Sequence, residues 1–505
     1  MTIIRARRDL SRRTFIRGTA AAGTALLCAK YSPSAFAVVP KDEFMTWSAT
    51  QVAGLIRSKQ LSAVEVVNLC YARIDDVNPK LNAVVAMCRE RALAEAQEAD
   101  AMLAAGNLKG PLHGVPFTAK DSFDTAGVVS TGGTLGRKNY VPGRDATVVA
   151  RVRAAGAILL GKTNTPEFTL GGGARGTFNL LHGQTLNPYN TLYSPAGSSG
   201  GAGSIVAAGG AFFDIGSDYG GSIRGPANVN GIAGLKPTYG LVPRTGHIVG
   251  YGGPFDNFQE TGPLARRVED LMLLMPILAG PDGSDAAMAP VPVRDPKQVD
   301  LRKLRVAFYV DDGQSTPSVE IQRMVKDCVG MFRDLGCQVK EDKPPKLKEL
   351  ADARQKFSQA PDGDHIRRLL QKHGTLQASP GLRLSGEPTA SSEFTRLCEV
   401  MDAIKSEQLA WLEQYDVILC PVNAKPPQKV PPEFVRPVGA PNGGYTSQYN
   451  TTGWPAGVVR AATSQEEPGM PLGVQVIGQP WRDDVVLAAM AHIEKLTGGW
   501  QRPSI

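Results

Sequence analysis
Short apolar runs of strand type recur along this chain with segments of helical spacing between them. The runs fall at 115–119, 157–160, 212–215, 304–310, 417–419 and 474–477, and helices are expected over 146–155, 199–209, 318–335, 393–415 and 483–497. Residues 46–105 also read as helices, with Ser62 and Glu65 forming a capping box and Leu61, Val64, Val67, Leu69 and Ile74 recurring at near-helical spacing. Strands that alternate with helices must bury both faces, so the expected fold class is α/β: a mixed, largely buried β-sheet flanked by helices on both faces. The proline-rich stretch at 421–441 and the polar one at 281–296 read as surface excursions, and no repeat of solenoid period is present. One domain is expected over 38–505, with a variable, substrate-facing cap over about 282–444.

The first 37 residues read as a targeting segment. Ser11-Arg12-Arg13-Thr14-Phe15-Ile16-Arg17 matches a twin-arginine export signal, a weakly apolar run follows over 18–29, and Ala35-Phe36-Ala37 suits a signal peptidase, so cleavage after Ala37 and a periplasmic or secreted product are expected. The apolar run is too short for a permanent membrane helix, and bulky Leu27 before Cys28 argues against a lipid anchor. This leader carries six arginines and Lys30 against Asp9, which is +6 of the +7 net charge, leaving about +1 on the remainder. No nucleic-acid or membrane-surface partner follows from a balance that even.

Of the seven cysteines, Cys28 leaves with the leader; Cys70, Cys88, Cys328, Cys337, Cys398 and Cys420 form no Cys-x-x-Cys pair and keep no zinc spacing with histidine. Free thiols and no metal or cofactor are expected.

Chemistry concentrates in three glycine-rich stretches: Gly114-Val-Pro-Phe-Thr-Ala-Lys120-Asp121, Ala196-Gly-Ser198-Ser199-Gly-Gly201, and Gly216-Ser-Asp218-Tyr219-Gly220-Gly221-Ser222-Ile-Arg224. A serine hydroxyl attacks an amide only beside an unprotonated base, and lysine serves only when desolvation lowers its proton affinity. Lys120 follows Val115, Phe117 and Ala119 at an expected strand end, where its ammonium is drawn out of water; a Lys120–Asp121 surface pair at a turn is the other reading. Ser198 and Ser199 fit either a catalytic loop or a turn capping the next helix. The backbone amides of Tyr219, Gly220, Gly221 and Ser222 converge before a helix expected to run through Asn230, which suits an oxyanion hole or an anion-binding loop. No Gly-Lys-Ser/Thr ending follows.

Together these stretches resemble the amidase signature family. Gly161-Lys-Thr-Asn-Thr-Pro-Glu167-Phe, Asn187-Pro-Tyr, Gly234-Leu-Lys-Pro-Thr238, Tyr449-Asn-Thr-Thr-Gly-Trp-Pro-Ala456 and Pro471-Leu-Gly-Val-Gln475-Val-Ile-Gly478 follow the family pattern in order. The match is dense over 45–281, moderate over 445–497 and loose over 282–444. The resemblance implies the amidase signature fold and an amidase that releases carboxylate and ammonia or amine through a covalent acyl-enzyme. It implies a Ser-Ser-Lys triad of Lys120, Ser198 on a cis peptide, and Ser222 as nucleophile. Ser199, Asp218 and Arg224 then have supporting roles. Ala196 stands where glycine is usual and Tyr219 where threonine is commonest, so Tyr219 is expected to reshape the acyl pocket.

Other readings are weaker. Against a histidine-based serine hydrolase, His113, His182, His247, His365, His373 and His492 read as surface or hydrogen-bonded structural residues. Gly171-Gly-Gly173-Ala-Arg-Gly176 satisfies a dinucleotide-binding pattern, but 177–189 is rich in Asn, Gly and Pro where that fold needs a helix. An exported non-catalytic binding protein on the same scaffold, and a transamidating, tRNA-dependent amidotransferase component, are the two alternatives. The expected partner is a small-molecule or peptide amide, with a homodimer open. Phe357, Leu369, Leu370, Phe394 and Trp411 are expected in the core rather than the pocket.

Overall fold
Two serine-capped helices come first. Ser48 and Ser62 each accept the N–H three residues on while Gln51 and Glu65 reach back to their N–H groups, starting helices Ala49–Arg57 and Ala63–Leu81. The computed structural model describes residues 44–251, 253–361, 363–386, 388–433 and 444–505, and the expected leader lies outside them. The stretch expected to be helical over 46–105 is interrupted by strand β1 (Val84–Met87) before the helix Arg89–Ala104. Its four residues are too few to carry a visible period of two.

Eleven strands make the main sheet: β1, then β3 (Ile158–Thr163), β2 (Pro116–Lys120), β6 (Phe213–Asp218), β8 (Glu260–Ala265), β7 (Ala233–Lys236), β12 (Ala456–Thr463), β13 (Pro471–Gly478), β11 (Val417–Pro421), β9 (Arg305–Phe308) and β10 (Gln338–Glu341), in that spatial order. The sheet is mixed. The pairs β3–β2, β2–β6, β11–β9 and β9–β10 are parallel, and the run from β6 to β11 through the centre is antiparallel. Strands β2, β3, β6, β8 and β13 are buried along their whole length, as a sheet covered on both sides requires. Gly457 and Gly473 show the two coverings: a Cβ on Gly457 would strike Met490 Sδ at 2.1 Å, and one on Gly473 would meet Asn228 Oδ1 at 3.0 Å. Gly473 pairs with Arg460, three residues along β12 from Gly457, so helix Asp483–Thr497 lies on one face and helix Arg224–Val229 on the other.

Segment 177–189 holds a small hairpin, β4 (Phe178–Asn179) and β5 (Gly183–Gln184), instead of a helix, so the dinucleotide pattern before it has no structural context. Within the loosely matching stretch, Phe357 is buried against Phe258, Leu350 and Met401, with Phe394 packed alongside. Leu369 is buried against Phe168 and Ile248, with Leu370 beside them. Trp411 packs partly buried on the cluster around Tyr415 and Ile418.

Candidate active site
Parallel pairing puts the ends of β2 and β6 at the same edge of the sheet, where Thr118 lies opposite Asp214 and Ala119 opposite Ile215. Lys120 closes β2, Ser217 and Asp218 close β6, and both chains then leave the sheet as loops. Ser198 and Ser199 lead into helix Gly200–Ala207, which packs on β6, β8 and β2. The Gly197–Ser198 peptide is cis. Ser199 occupies the helix N-cap position, but its Oγ donates to Ser217 O at 3.3 Å instead of capping the helix. Gly216 lets this loop come so close: a Cβ there would sit 2.9 Å from Ser199 Oγ.

Lys120 is fully buried, and Asp121 beside it is buried too, so the two do not form a surface pair. Lys120 Nζ donates to Ser198 Oγ at 2.6 Å, to Ser217 Oγ at 3.0 Å and to Ser217 O at 3.4 Å. Burial lowers its pKa from the usual lysine range to about 7, against the opposing pull of Asp218 and Asp214. Asp214 lies beneath, accepting from Thr118 Oγ1 at 2.6 Å and Thr163 Oγ1 at 3.0 Å, and its own burial raises its pKa to about 7. His247 closes the far side, with Nε2 3.0 Å from Ser217 Oγ and its ring edge-on to Phe123. Burial, with the positive charges of Lys120 and Arg244, pushes its pKa well below the ordinary histidine value, so the imidazole stays neutral. Neither Ser217 nor His247 was assigned a place here from the sequence; His247 stands 127 positions from Lys120, and nothing local signals the meeting.

The stretch 218–222 has every carbonyl held from outside. Asp218 O accepts from Asn450 Nδ2 at 3.0 Å, Tyr219 O from Arg354 Nη2, Gly220 O from Thr446 Oγ1 at 2.7 Å, Gly221 O from Gly225 N at 2.7 Å and Ser222 O from Ser199 N at 3.1 Å. In a trans peptide the N–H points opposite its carbonyl, so pinning these oxygens aims the amides of 219–222 the other way. Among the described residues the N–H groups of Tyr219, Gly220 and Ser222 find no partner. Gly221 differs from the expected set of four, because its N–H donates to Asp218 Oδ1 at 2.7 Å. Gly221 has φ +121°, and a Cβ there would lie 2.3 Å from Thr446 Oγ1, so only glycine completes the turn.

Asp218 and Arg224 clamp this loop from below. Arg224 Nη2 donates to Asp218 Oδ1 at 2.9 Å, Nε to Oδ2 at 3.1 Å, and Nη1 to Gln475 Oε1 at 2.7 Å and Thr446 O at 2.9 Å. Burial alone would raise the Asp218 pKa, but the Arg224 charge and hydrogen bonds outweigh it and hold the carboxylate well below the usual range. Asn450 and Gln475, from the two C-terminal motifs, thus serve the loop that carries Ser222. Arg354, from the loosely matching stretch, is a supporting residue that the sequence did not reveal; it stacks over Tyr219 at 5.1 Å and Phe258 at 4.7 Å.

Ser198 and Ser222 line one cavity of about 310 Å³, together with Leu170, Tyr219 and Thr446. Among the described residues no group of three or more His, Cys, Asp or Glu is placed to hold a metal ion, all six cysteines are unpaired, and no helix is long and apolar enough to cross a membrane.

Comparison with known proteins agrees with this architecture. The amidase family model matches residues 65–487. Fatty-acid amide hydrolase 2-B of Danio rerio is 34% identical over 500 residues, covering 91% of each chain. A glutamyl-tRNA(Gln) amidotransferase component from Heliobacterium modesticaldum is 32% identical over 494 residues, covering 90% of this chain and 97% of its own. Among solved structures, a fatty acid amide hydrolase superposes with a TM-score of 0.80 at 26% identity, covering 91% of this chain and 86% of its own. An extended family match, a shared fold and a helix-flanked mixed sheet lead to one assignment: the chain belongs to the amidase family and is a hydrolase of carbon–nitrogen amide bonds.

Proposed function
We propose that hydrolysis runs through a Ser-Ser-Lys triad and a covalent acyl-enzyme, with Ser222 as nucleophile, Ser198 as proton bridge and Lys120 as base. The observation that carries this reading is the 2.6 Å contact between Ser198 Oγ and a fully buried Lys120 whose other contacts are a hydroxyl and a carbonyl. At pH 7 burial leaves a substantial share of Lys120 neutral. Neutral Lys120 accepts the Ser198 proton as Ser198 takes one from Ser222, and Ser222 Oγ attacks the substrate carbonyl carbon. The N–H groups of Tyr219, Gly220 and Ser222 receive the oxyanion; such donors are commonly worth about 3–4 kcal/mol each in the transition state. Lys120 then returns its proton through Ser198 to the leaving nitrogen, the C–N bond breaks, and an ester to Ser222 remains. Water, deprotonated along the same path, hydrolyses the ester and frees the carboxylate.

The twin-arginine leader supports an exported enzyme, to be tested by cell fractionation with and without Arg12→Lys and Arg13→Lys. The similarity to an amidotransferase component favours a second reading, transamidation with a partner. Release of ammonia or amine by the purified chain alone, from a panel of aliphatic, aromatic and C-terminal peptide amides, separates the two. Hydrolysis should disappear in Ser222→Ala, together with labelling by a fluorophosphonate probe. Turnover or labelling that survives Ser222→Ala would remove Ser222 as nucleophile.

A further inference from the structure
A second cavity, of about 210 Å³, adjoins the catalytic one, and the two share Leu170 and Tyr219 in their walls. Val249, Pro361 and Ile366 add an apolar lining. Its charged members are engaged or neutral: Asp256 pairs with Arg244 at 2.7 Å, Arg383 Nε donates to Ser385 O at 3.3 Å, and burial lowers the His365 pKa from its ordinary value. Gln259 is the exception. It is only 4% exposed, it lines this chamber, and its carboxamide makes no hydrogen bond to any described residue. Its carboxamide atoms are not shut away from the open space, so in the chamber it lines Gln259 offers a ligand one free donor group and one free acceptor. Roughly 150 Å³ of apolar cavity accepts a benzene ring, so the chamber has room for one aryl or branched alkyl group. Tyr219 stands between the two cavities, held against Phe258 at 5.9 Å and under Arg354.

We propose that this chamber receives the acyl arm of the substrate beyond the scissile carbonyl, selecting amides whose arm carries an aryl or branched alkyl body and a neutral hydrogen-bonding group that reaches Gln259. The proposal rests on Ser222 being the nucleophile, since the acyl group must then start in the cavity it lines. Pro361, Gly363, His365 and Ile366, from the stretch that matches the family loosely, supply part of the chamber, which places selectivity there and chemistry elsewhere.

The test compares kcat/KM for propanamide, 3-phenylpropanamide and 3-(4-hydroxyphenyl)propanamide in the wild type, Ile366→Trp and Gln259→Leu. The wild type should favour both aryl amides over propanamide by about tenfold or more. Ile366→Trp, which fills the chamber, should abolish that preference while propanamide stays within about twofold. Gln259→Leu should lower the ratio of the hydroxylated to the plain aryl amide by about tenfold. Propanamide turnover doubles as the check on folding, and if Ile366→Trp does not fold, the Gln259→Leu ratio decides alone. An aryl preference untouched by both variants, or a parallel fall for all three amides in Gln259→Leu, overturns the chamber while leaving the Ser222 chemistry standing. A wild type inert on every amide overturns both.

Discussion
Lys120 and Lys162 sit on neighbouring parallel strands, each fully buried, yet their surroundings prepare them for different work. Lys162 Nζ donates to Phe123 O, to Thr125 Oγ1 at 2.9 Å and to Ser130 Oγ at 3.2 Å, with the Asp121 carboxylate 4.0 Å away. Lys236, also buried, is paired in the same manner with Glu260 at 3.1 Å. Lys120 has two serine hydroxyls and a carbonyl, and among the described residues it forms no ion pair. Burial lowers the proton affinity of all three amines and carboxylates act back on each, but only Lys162 and Lys236 have one within ion-pair distance. A unit charge 4 Å away is worth about 4 kcal/mol at an effective dielectric near 20, enough to decide which buried lysine keeps its proton. Without a carboxylate at ion-pair distance, Lys120 is the one of these three buried lysines suited to the base role proposed for it.

Replacing each amine by an isosteric apolar chain breaks this comparison most forcefully. Lys120→Met should cut kcat by about a thousandfold or more while the protein stays folded. Below pH 7 it should unfold at a higher temperature than the wild type. A lysine whose folded pKa is depressed costs stability in full below that value, and the cost fades as pH rises from about 7 toward 10.5. Lys162→Met should lose about 3–5 kcal/mol of stability, because Asp121 is left buried without its partner. Activity assays beside thermal unfolding at pH 6 and 8 separate the two effects, and equal destabilisation by both variants would erase the distinction.

Supplying the missing carboxylate should turn one environment into the other. Ser217 Oγ lies 3.0 Å from Lys120 Nζ, so Ser217→Asp should move the acid limb of the kcat/KM profile upward by roughly two pH units and cost about a hundredfold in rate at pH 7. An unmoved limb would detach that limb from Lys120. A smaller change is expected beneath the site. Asp214 raises the Lys120 proton affinity, so Asp214→Asn, which keeps an acceptor for Thr118 and Thr163, should move the same limb downward by less than about one pH unit. A shift toward higher pH would contradict the placement of that charge.

How much of this was legible in the sequence depended on whether a signal was local. The strands carrying Lys120 and Asp218 announced themselves by apolar runs, and the glycines around Ser198 and Ser222 by backbone freedom that no ordinary helix or strand uses. Strands β7, β8 and β12 went unseen, because Ala233–Lys236 holds a glycine and a lysine, Glu260–Ala265 a glycine and a proline, and their burial comes from neighbours distant in sequence. The four-amide oxyanion set missed that Asp218 reaches Gly221 N, a contact fixed by the turn at Gly221. His247 and Arg354 arrive from 30 and 135 residues beyond Ser217 and Tyr219, and only the folded sheet brings them to the site. Side chains that meet through tertiary structure leave no spacing to find.

The account depends on Lys120 being an uncharged amine near neutral pH inside the folded protein. NMR of the protein labelled at lysine Cε and Nζ, with Lys120→Met assigning the resonance, follows that one proton directly. The account predicts a titration midpoint of about 7 that coincides with the acid limb of kcat/KM. A midpoint near 10, in the range of an exposed lysine, would contradict it.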